Sequence, residues 1–552
     1  MNAGTLALTL LLTAALIAQS QNPIPVPAQT AMKQLSKERF RAHMAFLADD
    51  LLEGRKTGTR GHELAARYIA AEFEALGLKP AGDQGTYYQR VPLRETAIDP
   101  VESSVEIIRE GGVTQKLKWG DDFTMAIRLQ SIGSVEAPVV FAGYGVQTPD
   151  GSYDDYAGLD VQGKIVAMLY GGPPKLPSEL RAHVSNGVEK ARLARDKGAI
   201  GLVHLWTPQT EQTLRWAGLV NYFNTPGMRW LSHDGHDADV FPEIRSGAML
   251  SLTTSQELFN GAPKSWEAVL QDASVSKAQG FALPVTMRLH AVSRFRELTS
   301  PNVTAVLPGS DPKLKSEYVV YTAHSDHMGI GSPASGDAIY NGAGDNASGV
   351  AALLEIARAF RALPRPPARS ILFLAVTGEE LGLLGSDYFA HFPTVPIQSL
   401  AADVNIDEAS ILYAFRDIVP RGAPDSALGR VVGRDASQLG LKVSVDPQPE
   451  QGYFTRSDQY SFVKQGVPSV FISEGYEARD PKVDGKKATD EWTATRYHQP
   501  SDDMSQPMDL NAAVQFMQIN FLVGYDIAND PERPRWNPGD FFGETFGRKT
   551  GR

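Results

Sequence analysis

From Glu317 to Ala323 the chain reads EYVVYTA, a run of β-branched and aromatic residues with no polar face. Unbroken apolar runs of this length predict strands covered on both sides. The texture returns in SILFLAVTG (370–378) and SLAADVNID (399–407). Between the first two lies ASGVAALLEIARAFRAL (347–363), where Val350, Leu353, Leu354, Ala357 and Phe360 recur at helical intervals and Pro364 ends the pattern. A second helical stretch, ELGLLGSDYFAHF, follows the second strand. Strand and helix in alternation predict an α/β fold with a mostly parallel mixed sheet between two helical layers. Upstream, residues 37–78 alternate apolar and charged positions at helical spacing and are split by the Gly- and Arg-rich LEGRKTGTRG (52–61), which predicts two helices joined by a loop.

The texture changes between 137 and 286. APVVFAGYGV, GKIVAMLYGG and IGLVHLW are Gly-bounded strands, with one helix, GVEKARLARDKGA, among them. His183, His204, His233 and His236 scatter through this part without ligand spacing and read as structural or surface residues. The expected organisation is therefore a main unit in two pieces, 33–130 and 295–535, an inserted β-rich unit at 137–286, and a tail at 536–552. At the start, an apolar stretch from Leu6 to Ala18 followed by Ala18-Gln19-Ser20 predicts a signal peptide over 1–20, hence a secreted or periplasmic protein with no membrane attachment after cleavage.

Composition narrows the chemistry. The net charge of -11, from 64 acidic and 53 basic residues, gives no footprint for nucleic acid. With no cysteine there is no disulfide and no thiolate, so any metal must be held by imidazoles and carboxylates.

Those groups stand where apolar runs end. His324 follows EYVVYTA, Asp345 lies in NGAGDNASG ahead of a helix, Glu379 and Glu380 follow SILFLAVTG, Asp407 closes AADVNID, and His498 lies in RYHQPSDD. Sites in open α/β sheets form beyond the carboxyl ends of strands. Taken singly, each residue has an ordinary reading: the glutamates a helix dipole, Asp345 a cap, Asp407 a turn, His498 the surface. Together they place carboxylates that would repel one another at one sheet edge, a conflict divalent cations resolve. Three carboxylates and two imidazoles suit two zinc ions if one carboxylate bridges. Glu379 is then free to take a proton, and Asp326 would accept the spare N–H of His324. His327 reads as a residue lining the cleft or satisfying a loop.

In order, AHSDHMG, GAGDNASG, TGEELGLLGS, VNID and YHQPSDD resemble the dinuclear zinc aminopeptidases of the aminopeptidase Y and glutamate carboxypeptidase type, and 137–286 resembles the protease-associated (PA) domain often inserted in them. The resemblance implies a three-layer zinc-exopeptidase domain that hydrolyses N-terminal residues from peptides through a dizinc-bound water. It implies one zinc on His324 and Asp407, the other on Glu380 and His498, with Asp345 bridging; cobalt or manganese would suit the same ligands. It makes Glu379 the general base and Tyr497 a stabiliser of the oxyanion, and it matches the Asp345-Asn346 bond to a cis peptide. Ser457-Asp458-Gln459 departs from the SDH of many relatives, which leaves the adjoining subsite open. Other outcomes on this fold are a carboxypeptidase of the glutamate carboxypeptidase type, a one-zinc glutaminyl-cyclase-like transferase, and a binding module without catalysis. The side-chain preference and the oligomeric state are not legible in the sequence.

Overall fold

The computed structural model describes residues 23–125, 132–277, 279–331 and 336–547. The segment expected to be a signal peptide lies outside them. Among the described residues no helix is long and apolar enough to cross a membrane.

The main sheet has four parallel strands at its centre, in the order Ser370–Val376, Tyr318–His324, Leu400–Asn405 and Ser469–Glu474. Antiparallel strands flank them: Phe281–Leu307 beside 370–376, and Asp417–Arg421 beside 469–474. Side chains alternate across the sheet. Val319, Tyr321 and Ala323 join one core with Phe373 and Ala375, under the helices Gly349–Arg361 and Leu510–Asn529. Val320, Leu372 and Leu374 face the other way, against Phe389 and Phe462. Burial on both faces explains why these strands carry no polar stripe.

The helices expected over 37–78 are Lys37–Leu47 and Arg60–Ala75, each started by a hydroxyl cap, Ser36 on the Arg39 N–H and Thr59 on the His62 N–H. The loop between them dips into the protein instead of staying at the surface: Arg55 is 1% exposed.

A second sheet, with its own cores, is built from residues 104–292. Its centre is also parallel, Ile132–Phe141, Ile165–Leu169, Gly201–Leu205 and Ser246–Leu250 in order. The strands Ser104–Arg109, Thr114–Lys116 and Phe123–Met125 pair within it. The two sheets are continuous, because Phe281–Leu307 is one strand of 27 residues whose first half pairs in the second sheet and whose second half pairs in the main one. Gly227–Trp230 adds a further link by pairing with Leu93–Thr96 of the main sheet.

Candidate metal centre

Three neighbouring parallel strands deliver four of the predicted groups to one edge. His324 ends its strand and lies in register with Val376, so Glu379 and Glu380 begin three residues further along the adjacent strand. Asp407 emerges two residues after Asn405 on the other side. Asp345 comes from the turn Ala343–Ser348, and its bond to Asn346 is cis. The carboxylate of Asp502 accepts the N–H groups of Gly344 at 2.8 Å and Asp345 at 3.0 Å, which fixes this turn. The Asn346 side chain ties it to the Asp407 loop, donating to the Ile406 carbonyl at 3.1 Å and accepting from the Glu408 N–H at 2.9 Å.

The groups converge around Asp345. Its Oδ1 lies 3.2 Å from His324 Nε2, and its Oδ2 lies 3.2 Å from His498 Nε2. Each imidazole meets one further carboxylate: His324 Nε2 is 3.0 Å from Asp407 Oδ1, and His498 Nε2 is 3.0 Å from Glu380 Oε2. His324, Asp345 and Asp407 form one cluster with metal-ligand spacing, and His327, Asp345 and Glu380 form another. Burial opposes the charge on Asp345, yet the imidazoles of His324 and His498 hold it well below the usual carboxylate range. Burial likewise opposes protonation of His498, and the close carboxylates of Asp345 and Glu380 more than offset it, lifting the group to about 10. Carboxylate oxygens and imidazole nitrogens converging in this way form a donor set that could hold divalent cations.

Glu379 lies beside the cluster. Burial, helped by the negative charges of Asp407, Glu380 and Asp458 against the pull of His324, pushes its carboxyl well above the ordinary value. Asp326 sits beneath, with a role different from the expected one. Its backbone carbonyl, at 3.3 Å, is closer to His324 Nδ1 than its carboxylate, at 3.9 Å. The carboxylate instead accepts from the Thr57 hydroxyl at 3.0 Å and the Glu379 N–H at 3.2 Å, so it steadies the glutamate pair. The Tyr497 ring stacks on His498 with centroids 3.9 Å apart, and burial among carboxylates keeps its hydroxyl protonated.

Two contributors escaped the sequence. Arg55 donates to the carbonyls of Leu47, Ser325, Asn341 and Gly342, with its guanidinium behind the carboxylates. Burial lowers it to about 10, against the charges of Asp345, Asp502, Asp326 and Glu380, and it remains a cation. Asp502 lies inside the quoted YHQPSDD, where only its link to the Asp345 turn gives it a purpose. Gln459 proves to be internal support: it accepts from Asn405 Nδ2 at 2.7 Å, Asn405 also donates to the Ser457 hydroxyl, and that hydroxyl donates to Asp407 Oδ2 at 2.6 Å.

A cavity of about 300 Å³ opens from His324, Asp345, Glu379 and Asp407, with Ile411, Val419 and Phe471 among its apolar walls and Glu408 and Glu474 among its polar ones. Residues from the second sheet's part of the chain touch it from outside. His183 Nδ1 meets the Tyr460 hydroxyl at 2.5 Å, and a Cβ on Gly452, in the cavity loop, would lie 2.9 Å from that of Ala182.

Fold and site define an α/β protein with a candidate dinuclear metal centre at the carboxyl ends of its parallel strands. Residues 302–523 match Peptidase family M28. The mouse protein "Aminopeptidase NAALADL1" is 26% identical over 424 residues, which cover 68% of this chain and 54% of that protein. A "Probable zinc metalloprotease" of Pyricularia oryzae is 35% identical over 324 residues, covering 52% of this chain and 62% of that protein. "Aminopeptidase YwaD" of Bacillus subtilis is 32% identical over 136 residues, 24% of this chain and 27% of that protein. The chain thus spans less than two thirds of these curated relatives. The aminopeptidase from Aneurinibacillus sp. strain AM-1 shares the fold, with a TM-score of 0.52 at 19% identity over 93% of this chain and 98% of that one.

Proposed function

We propose that this protein is a secreted, zinc-dependent exopeptidase that removes N-terminal residues from peptides. The observation that carries the reading is the arrangement about Asp345, whose two oxygens each face an imidazole that also faces a second carboxylate. In this reading His324 and Asp407 hold one cation, Glu380 and His498 the other, and Asp345 both. Two divalent cations supply Lewis-acid polarisation of the scissile carbonyl and activation of water. Glu379 accepts a proton at its carboxylate and passes it to the departing amine nitrogen; its raised affinity for protons and its place at the cavity suit that transfer. The Tyr497 hydroxyl donates to the oxygen that gains negative charge.

Cleavage at the amino end is favoured by the carboxyl groups that line the cavity. Glu379, Asp407, Glu408 and Glu474 line it and can receive an α-ammonium group. Arg421, also on the wall, is engaged by Asp446 at 2.7 Å and by the Ser473 hydroxyl at 2.7 Å. The exposed Arg456 favours a second reading, in which a carboxylate terminus binds and the protein is a carboxypeptidase. Residues 137–286 would in this reading be a PA-type insertion that shapes the cleft through the His183 and Gly452 contacts.

Peptides blocked at one end or the other, assayed with and without a chelator, test both readings. Hydrolysis of peptides with a free amino terminus, lost on chelation, is expected. Cleavage only of amino-blocked peptides would favour the second reading, and chelator-insensitive cleavage would contradict both.

A further inference from the structure

His327 is not among the five cation-binding residues proposed above, although it lies within metal-ligand spacing of Asp345 and Glu380. It follows His324 by three residues, its side chain is 0% exposed, and it is absent from the cavity wall. Its Nδ1 lies 2.6 Å from Glu380 Oε1, while the other oxygen of that carboxylate, Oε2, faces His498 Nε2 at 3.0 Å. His327 Nε2 is enclosed without a partner. The ring proton therefore belongs on Nδ1, the nitrogen with an acceptor, because a buried N–H with nothing to bond would cost more than a buried lone pair.

The ring has little freedom to leave this position. The backbone N–H of His327 donates to the Arg55 carbonyl at 3.3 Å. Gly342, with φ 59°, lies flat against the imidazole, and a Cβ there would come 2.6 Å from its Cγ and Cδ2. Gly342 is itself held, since its carbonyl accepts from Arg55 Nη2 at 3.0 Å. Arg55 thus secures both the residue and the surface it rests on.

The other half of the centre is built on the same plan. Asp407 presents Oδ1 to His324 at 3.0 Å, and its Oδ2 is occupied by the Ser457 hydroxyl at 2.6 Å. On both sides of Asp345, then, an outer carboxylate has one oxygen engaged by a buried donor and the other turned toward its imidazole.

We propose that His327 is a positioning residue: by donating from Nδ1 to Glu380 Oε1 it commits that oxygen and leaves Oε2 as the one that Glu380 offers to a cation shared with His498 and Asp345. This rests on the two-cation reading above. Ser457 performs the matching task for Asp407, so each outer carboxylate binds through a single oxygen. Removing an orienting partner of this kind weakens metal binding by about 10–100-fold.

The test is a cobalt titration of the metal-stripped full-length protein, following uptake by elemental analysis and by the visible absorption of the bound ion. Wild type is expected to take up two ions. His327→Leu should bind one of them as wild type does and the other about 10–100-fold more weakly. His327→Asn places an amide N–H near the position of Nδ1 and should stay within about threefold of wild type at both sites, whereas His327→Gln, whose amide reaches the Nε2 position, should behave like His327→Leu. Two ions bound with wild-type affinity by folded His327→Leu would overturn the proposal, as would equal losses in the Asn and Gln variants. If the Leu variant fails to fold, the Asn and Gln pair decides. A wild type that binds no metal would instead sink the two-cation reading itself.

Discussion

The protein contains two sheets with the same architecture at their centres and opposite endings. In the main sheet the parallel strands finish in His324, the Thr377-Gly378-Glu379-Glu380 turn and the loop to Asp407. In the second sheet they run out into Tyr170, whose ring packs on Trp206 with centroids 5.1 Å apart, and into Thr207, which caps the helix Pro208–Thr213. Parallel strands create an edge where loops and helix starts converge, but the residues placed there decide whether that edge carries chemistry. One sheet ends its strands in carboxylates and imidazoles, the other in ring packing and a helix cap.

Substitutions should separate the two regions. The largest effect is expected at Asp345. Asp345→Ala should lose both metal ions and all hydrolysis, measured by elemental analysis and turnover. The contrasting change is Asp155→Ala, a buried carboxylate of the second sheet that accepts from the N–H groups of Tyr144 and Val146 and the Tyr153 hydroxyl. It should lower thermal stability while leaving the turnover of the folded fraction unchanged. Glu379→Gln should reduce kcat by about 10²–10⁴-fold with metal content intact, because the amide keeps the shape and loses the base.

Arg55→Met comes next. It strands four carbonyls and leaves the carboxylates without their rear cation, and should cost about 3–5 kcal/mol in denaturant unfolding, as loss of a buried charge partner does. His62 gives a smaller, pH-dependent signature. Burial, with the Arg55 charge behind it, lowers this imidazole to about 3 from its ordinary 6.5, and it bridges Ser300 and Ser325 as a neutral ring. The unfolded chain therefore takes up this proton first as the pH falls, so the contribution of His62 to stability is whole above about pH 6.5 and is lost progressively toward pH 3. The stability gap between wild type and His62→Gln should narrow over that interval. The smallest effect is at the seam between the regions, where Tyr460→Phe removes the hydroxyl bonded to His183 and should cost about 1 kcal/mol.

Much of the main sheet and its edge is legible in the amino-acid sequence alone. Strands buried on both faces appear as unbroken apolar runs, and the residues just beyond each run fall at the sheet edge, so the positions of His324, Glu379, Glu380 and Asp407 could be read from spacing. Arg55 could not, since an arginine between glycine and lysine looks solvated, and only the four carbonyls turned toward it explain its burial. The long strand Phe281–Leu307 was hidden for a related reason. Its middle, Ser293 to Thr299, is charged and largely exposed, which breaks the pattern where the strand passes from one sheet to the other. His327 was ambiguous because its partner, Glu380, is 53 residues away in sequence.

The central claim is that Asp345 is shared by two cations. Anomalous scattering from crystals of the zinc-loaded protein, collected on either side of the zinc edge, addresses it directly. The account predicts two peaks flanking Asp345, one between His324 and Asp407 and one between Glu380 and His498. A single peak, or none at Asp345 while the protein cleaves peptides at full rate, would contradict it.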